Sequence, residues 1–129
     1  MRTLSGSILT PDGWRRGQVR FGADVVEVDG RHIAAPAPPY VVPGFVDLHV
    51  HGGGGADVMA GETAVRRTAA THRRHGTTAL VPTTVTAPTV DVEAALDGIE
   101  AVRRAPAPGE ARVLGAHLEG PFLNPDKLG

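Results

Sequence analysis

Two short stretches of this 129-residue chain carry side chains able to bind a divalent cation. The first is Pro43-Gly44-Phe45-Val46-Asp47-Leu48-His49-Val50-His51-Gly52. Phe45 to Val50 reads as a short apolar strand, and along a strand the side chains at i and i+2 share a face. His49 and His51 therefore project together while Val50 faces away, and both sit at the C-terminal end of the strand. Two neutral imidazoles so placed can chelate an ion such as zinc at about 2.0–2.1 Å. An arbitrary His-x-His is more often a pair of hydrogen-bonded histidines near a strand end. The strand-end position, with the glycine run Gly52 to Gly55 opening space beside it, favours ligation. The second stretch is His117-Leu118-Glu119-Gly120-Pro121-Phe122, where His117 and Glu119 again share a face. By itself this motif reads equally well as a solvated glutamate ahead of a proline-containing turn.

The elements that must carry these residues follow from patterning. Leu4 to Leu9, Gln18 to Phe21 and Val25 to Val28 are apolar runs separated by Asp12-Gly13, Gly22-Ala23-Asp24 and Asp29-Gly30, a pattern of short strands and hairpin turns. Three such strands make half a sandwich and need partners from elsewhere. Trp14 and Phe21 are expected in that sandwich's core. Ala34-Ala35-Pro36-Ala37-Pro38-Pro39 is a stiff linker, so residues 1–42 form one region and 43–129 another.

Beyond the linker the texture changes. After the strand Phe45 to Val50, Glu62 to His75 reads as a helix stopped by Gly76, with Ala79 to Val81 a second buried strand and Thr83 to Thr86 its polar exit. Asp91 to Arg104 is a second helix, apolar at Val92, Ala95, Leu96, Ile99 and Val102, and Arg112 to Leu118 is a third strand. Alternating apolar strands and helices predict a parallel sheet covered by helices, the opening of a (β/α)8 barrel, which takes roughly 250 residues. The strand ends of a barrel converge on one mouth, so Glu119 can join His49 and His51 around one ion. Two His and one carboxylate with an open fourth position is a catalytic zinc arrangement, able to polarise a carbonyl and acidify water toward neutral pH.

Composition limits the alternatives. Thirteen basic against fourteen acidic residues give a net charge of −1, without the basic stripe that nucleic acid requires. The absence of cysteine excludes disulfides and thiolate metal sites. No apolar stretch approaches the roughly 18–20 residues of a membrane span, and the N-terminus lacks a secretory h-region. A soluble cytoplasmic protein is expected. His75-Gly76 reads as a helix-terminal turn, His72 as surface, and His32 carries no signal. The Gly52 to Gly55 run lacks the Lys-Ser/Thr of a P-loop and reads as a flexible hinge beside the metal site.

The His49/His51 motif, placed after a small β-sandwich segment, resembles the first barrel strand of the amidohydrolase superfamily. His75-Gly76-Thr77-Thr78-Ala79-Leu80-Val81-Pro82-Thr83 and Gly115-Ala116-His117-Leu118-Glu119-Gly120-Pro121-Phe122-Leu123-Asn124-Pro125 are similar to the N-acetylglucosamine-6-phosphate deacetylases, as is the glycine loop from His51 to Asp57. The resemblance covers nearly the whole chain. It implies a (β/α)8 barrel with a β-sandwich built from both chain ends, usually a cytoplasmic homodimer, removing acetate from N-acetylglucosamine 6-phosphate with zinc or iron. Glu119 matches the family's glutamate ligand, and His49 and His51 match positions that in some members carry His-x-His and bind a second ion. The family's two further ligand histidines and its general-base aspartate are expected beyond Gly129, so no catalytic base is assigned in this chain. The 129 residues alone are expected to be inactive and poorly stable, with uncovered strand edges and helix faces. Dihydroorotase- or hydantoinase-like chemistry and a non-catalytic remnant are the alternatives.

Overall fold

The computed structural model describes residues 1–127, so the end of the loop read at Asn124 to Gly129 lies partly outside the described residues. Two compact units divide the chain, Met1–Pro43 and Gly44–Gly129. In the first, β1 (Arg2–Thr10), β2 (Gly13–Phe21), β3 (Val25–His32) and the short β4 (Tyr40–Val41) form one sheet of order β3-β2-β1-β4. The β1/β2 and β2/β3 pairs are antiparallel hairpins, and β4 runs parallel to β1.

The proline stretch is docked rather than free. The buried Ser7 hydroxyl donates to the Ala37 carbonyl at 2.6 Å, and the Ser7 N–H donates to Pro39 O at 2.8 Å. These bonds satisfy carbonyls of the proline stretch, whose missing N–H groups keep it from building a ladder of its own, and they deliver Tyr40 to β1. Trp14 and Phe21 are only half-buried, with Trp14 edge-on to Tyr40 and Phe21 beneath the Arg2 guanidinium; Ile8 and Val19 are the buried apolar residues of the sheet.

In the second unit, β5 (Phe45–Val50), β8 (Thr77–Pro82) and β9 (Arg112–Val113) form a parallel sheet in which each strand lies beside the next along the chain. Helices α1 (Glu62–Arg74) and α2 (Thr89–Arg104) make the crossovers. In α1 the buried positions Val65, Thr68 and Ala69 fall at i, i+3 and i+4, with Glu62 in the first turn and Arg73 and Arg74 in the last, both suited to the helix dipole. Val50, Val58, Val65, Leu80, Ile99 and Val113 meet in the core between helices and sheet. Burying such a side chain contributes about 1.5–3 kcal/mol.

Arg66 holds this arrangement at its edge, donating to Glu62 within α1 and to Glu110 and Ala105 O beyond α2. On α2, hydrogen bonds from Arg103 and Arg104 hold the Glu100 carboxyl down at about 2. Its contribution is complete above the ordinary carboxylate range and is lost as the pH falls toward that value. On β5, Phe45, Val46 and Leu48 stay exposed.

The third strand is shorter than its apolar run suggests. Ladder pairing ends at Val113; beyond it Leu114 N–H still donates to Leu80 O and His117 N–H to Pro82 O, with an isolated bridge Thr83–His117 just past β8. One buried side-chain polar atom among the described residues lacks a partner, the Thr68 hydroxyl in α1. Thr68→Val keeps the shape and removes the desolvated hydroxyl, so stability should rise by about 1 kcal/mol. The urea midpoint measures this, and a fall of that size would show that the hydroxyl is bonded.

Candidate metal centre

The ligand-bearing end of β5 is shaped by a bulge. Asp47 pairs with Leu80 and Val50 with Pro82, so β5 spends one residue more than β8 over this span. Bulges re-aim side chains and often sit beside active sites. The His49 N–H, displaced from the ladder, donates to Asp47 Oδ1 at 3.1 Å. Val50 is buried in the core while His49 and His51 point to the other side, as the period-two reading requires. Their Nε2 atoms lie 3.0 Å apart.

Glu119 completes a triangle. Its Oε2 lies 3.4 Å from His49 Nε2 and 3.4 Å from His51 Nε2. Tetrahedral donors at about 2.0–2.1 Å from zinc stand roughly 3.3 Å from one another, so the three separations suit a single ion. The protonation pattern points the same way. His51 Nδ1 faces Thr83 O at 3.1 Å, which makes Nδ1 the donor and leaves Nε2 an acceptor in the neutral ring. With His51 neutral, its Nε2 lone pair and the Glu119 carboxylate face a common point where a cation can bridge them; with Nε2 protonated, the two pair directly. The backbone carbonyl on the far nitrogen is also the usual outer support of a metal-ligating histidine.

His117, at the third strand end with Glu119, plays a different part. Its ring packs edge-on against His49 with centroids 4.7 Å apart, and Nδ1 lies 3.3 Å from Leu48 O. It braces His49 and is not a corner of the triangle. The glycine run is not a hinge. Gly52–Gly53 pairs antiparallel with Ala56–Asp57 (β6 and β7), and Gly54 and Gly55 make the two-residue turn with φ of 62° and 77°. Two successive positive φ values are the type I′ requirement that glycine meets without steric cost. His72, expected at the surface, is half-buried with Nε2 3.1 Å from Gly52 O, which presses this hairpin onto α1.

Sequence reasoning treated Thr83 and Thr84 as a polar exit, yet both are fully buried. The Thr84 hydroxyl accepts the Glu119 N–H at 3.2 Å, and the Thr84 N–H donates to His117 O at 3.0 Å. The available signal was the Pro82-Thr83-Thr84 run closing a buried parallel strand, where hydroxyls can serve neighbouring strands.

Residues 40–128 match the Amidohydrolase family. The chain belongs to that family. Amidohydrolases are in general divalent-metal proteins, and in this one the His49–His51–Glu119 triangle is the candidate site. Among relatives, the chain is 37% identical over 132 residues to an N-acetylgalactosamine-6-phosphate deacetylase of Escherichia coli O157:H7, covering 95% of this chain and 33% of the relative. It is 35% identical over 102 residues to the N-acetylglucosamine-6-phosphate deacetylase of Bacillus subtilis, covering 77% of this chain and 26% of that protein.

Two crystal structures of N-acetylglucosamine-6-phosphate deacetylases superpose on this amidohydrolase. That from Thermotoga maritima does so with a TM-score of 0.82 at 28% identity, over 98% of this chain and 34% of its own. That from Mycobacterium smegmatis gives 0.78 at 34% identity, over 100% and 38%. The second unit of this amidohydrolase is thus the opening part of a (β/α)8 barrel, as the strand order predicts. The chain spans about a third of the length of the curated relatives it matches.

Proposed function

We propose that the protein carrying this chain removes acetate from N-acetylglucosamine 6-phosphate, giving glucosamine 6-phosphate in amino-sugar catabolism. One observation carries the reading: the His49–His51–Glu119 donor triangle stands at the strand ends of a chain whose relatives are sugar-phosphate deacetylases. A divalent ion bound there, zinc or iron, supplies Lewis acidity toward an amide carbonyl and activates water near neutral pH. The chain's own residues prepare that position. His49 and His51 present their Nε2 atoms, Glu119 offsets part of the cation's charge, and Thr83 O faces the Nδ1 of His51. Proton transfer to the departing amine falls to an aspartate that the resemblance places beyond Gly129. The same resemblance supports a homodimer, the cytoplasm, and strands in residues 1–42 that belong to a sandwich completed elsewhere.

A second reading concerns the sugar. The Escherichia coli relative is named for N-acetylgalactosamine 6-phosphate, the epimer at one hydroxyl. Acetate release by the full-length gene product from both epimers, side by side, tests both readings. Turnover of the gluco epimer is expected, with none from the 129-residue chain alone. Turnover of the galacto epimer only would transfer the assignment to that sugar. No turnover of either by metal-loaded protein would reject deacetylation.

A further inference from the structure

The two histidines are held by a residue outside the triangle. At the β5 bulge Val50 pairs with Pro82, the last residue of β8, and the regular ladder stops there. Thr83 takes over. Its N–H donates to Val50 O at 2.8 Å, its hydroxyl accepts the Val50 N–H at 3.0 Å, and its carbonyl faces His51 Nδ1 at 3.1 Å. Val50 lies between the two histidines, so Thr83 fixes a peptide group on each side of it as well as one imidazole. The hydroxyl is the substitutable part of this clamp. With Thr83 fully buried, the Val50 N–H has no solvent to turn to if the hydroxyl is removed.

We propose that Thr83 is a positioning residue for the His49–His51 pair: its hydroxyl accepts the Val50 N–H at the bulge, beside its own N–H and carbonyl contacts, and so sets both Nε2 atoms toward Glu119. The inference rests on the metal-site reading above and goes beyond it by assigning a determinant of affinity that touches neither ion nor substrate. Outer supports of metal ligands typically change affinity about 10–100-fold when lost. Thr83→Val preserves the buried volume and removes the hydroxyl, both as acceptor from the Val50 N–H and as donor to Val81 O, while Thr83→Ser restores it.

The test is zinc affinity of the full-length gene product, by competition with a chromophoric chelator, for Thr83→Val, Thr83→Ser, Glu119→Ala and Leu80→Ala. Leu80 is fully buried in the core, so its truncation reports on destabilisation alone. Thr83→Val should bind zinc about tenfold or more weakly, Thr83→Ser within about threefold of wild type, and Leu80→Ala like wild type despite a lower Tm. In the metal-free protein, histidine 15N shifts should show His51 protonated on Nδ1 in wild type and the serine variant, with that signature weakened in the valine variant. Wild-type affinity in Thr83→Val alongside loss in Glu119→Ala would overturn the positioning role and leave the metal site standing. Equal weakening in Thr83→Val and Leu80→Ala would also overturn it, as general destabilisation. Wild-type affinity in Glu119→Ala would remove the site itself and the inference with it.

Discussion

Full-length gene product carrying Glu119→Ala should retain less than about one hundredth of the wild-type affinity for zinc, and His49→Ala should fall by a similar factor. Each change removes one of the three clustered donors among the described residues, a larger loss than the 10–100-fold typical of an outer-shell partner. Among the described residues the triangle, with sides of 3.0 Å, 3.4 Å and 3.4 Å, has no fourth corner, since His117 is turned against His49. Elemental analysis after gel filtration, paired with chelator competition, gives both stoichiometry and affinity. Full metal retention in both variants would show that the ion, if any, is held by other groups, and the hydrolytic reading would lose its basis in this chain. Glu119→Gln separates charge from shape. It keeps an oxygen donor but not the negative charge, so its affinity is expected to lie between those of wild type and Glu119→Ala.

Gly98→Ala should lower stability by a net amount of about 1–2 kcal/mol, the opposite of what helix propensity predicts. In an exposed helix interior the substitution gains about 1 kcal/mol, because glycine carries more backbone entropy into the unfolded state. Here α2 crosses the start of α1 at Gly98. A Cβ at this position would lie 2.6 Å from the Glu62 N and 2.8 Å from both Gly61 C and Gly61 Cα. Those are backbone atoms, which cannot rotate aside, so either α1 or α2 must shift against the packed core. Overpacking of that kind costs typically 1–3 kcal/mol and occasionally more, outweighing the propensity gain. Denaturant midpoints with an unchanged m-value would measure it. An increase in stability of about 1 kcal/mol would mean that the two helices stand further apart.

Gly98 also shows where periodicity stops being informative. The apolar positions of α2 are legible in the sequence, and Val92, Ala95, Ile99 and Val102 are buried as expected. Leu96, on the same reading, is only half-buried, and the fully enclosed position beside Ile99 is the glycine. Hydrophobicity marks the face of a helix, but the crossing point is chosen by whichever residue lets two backbones approach, and that depends on the partner helix.

The sequence by itself determined the order of strands and helices, the parallel sheet and the common face of His49 and His51. These follow from periodicities of 2.0 and 3.6 residues and from turn chemistry, which act over a few neighbours. It also made Glu119 a candidate, but left it balanced against a solvated turn residue. Tertiary structure alone brought Glu119, seventy residues after His49 along the chain, to 3.4 Å from both imidazoles. It turned His117 into a brace, folded the glycine run into a hairpin under His72, and buried Thr83 and Thr84 as links between strand ends. The physical reason is one of range. A side chain's face is set by its own strand, whereas its partner is set by register and bulges between strands, and those arise only when the β5, β8 and β9 segments pair.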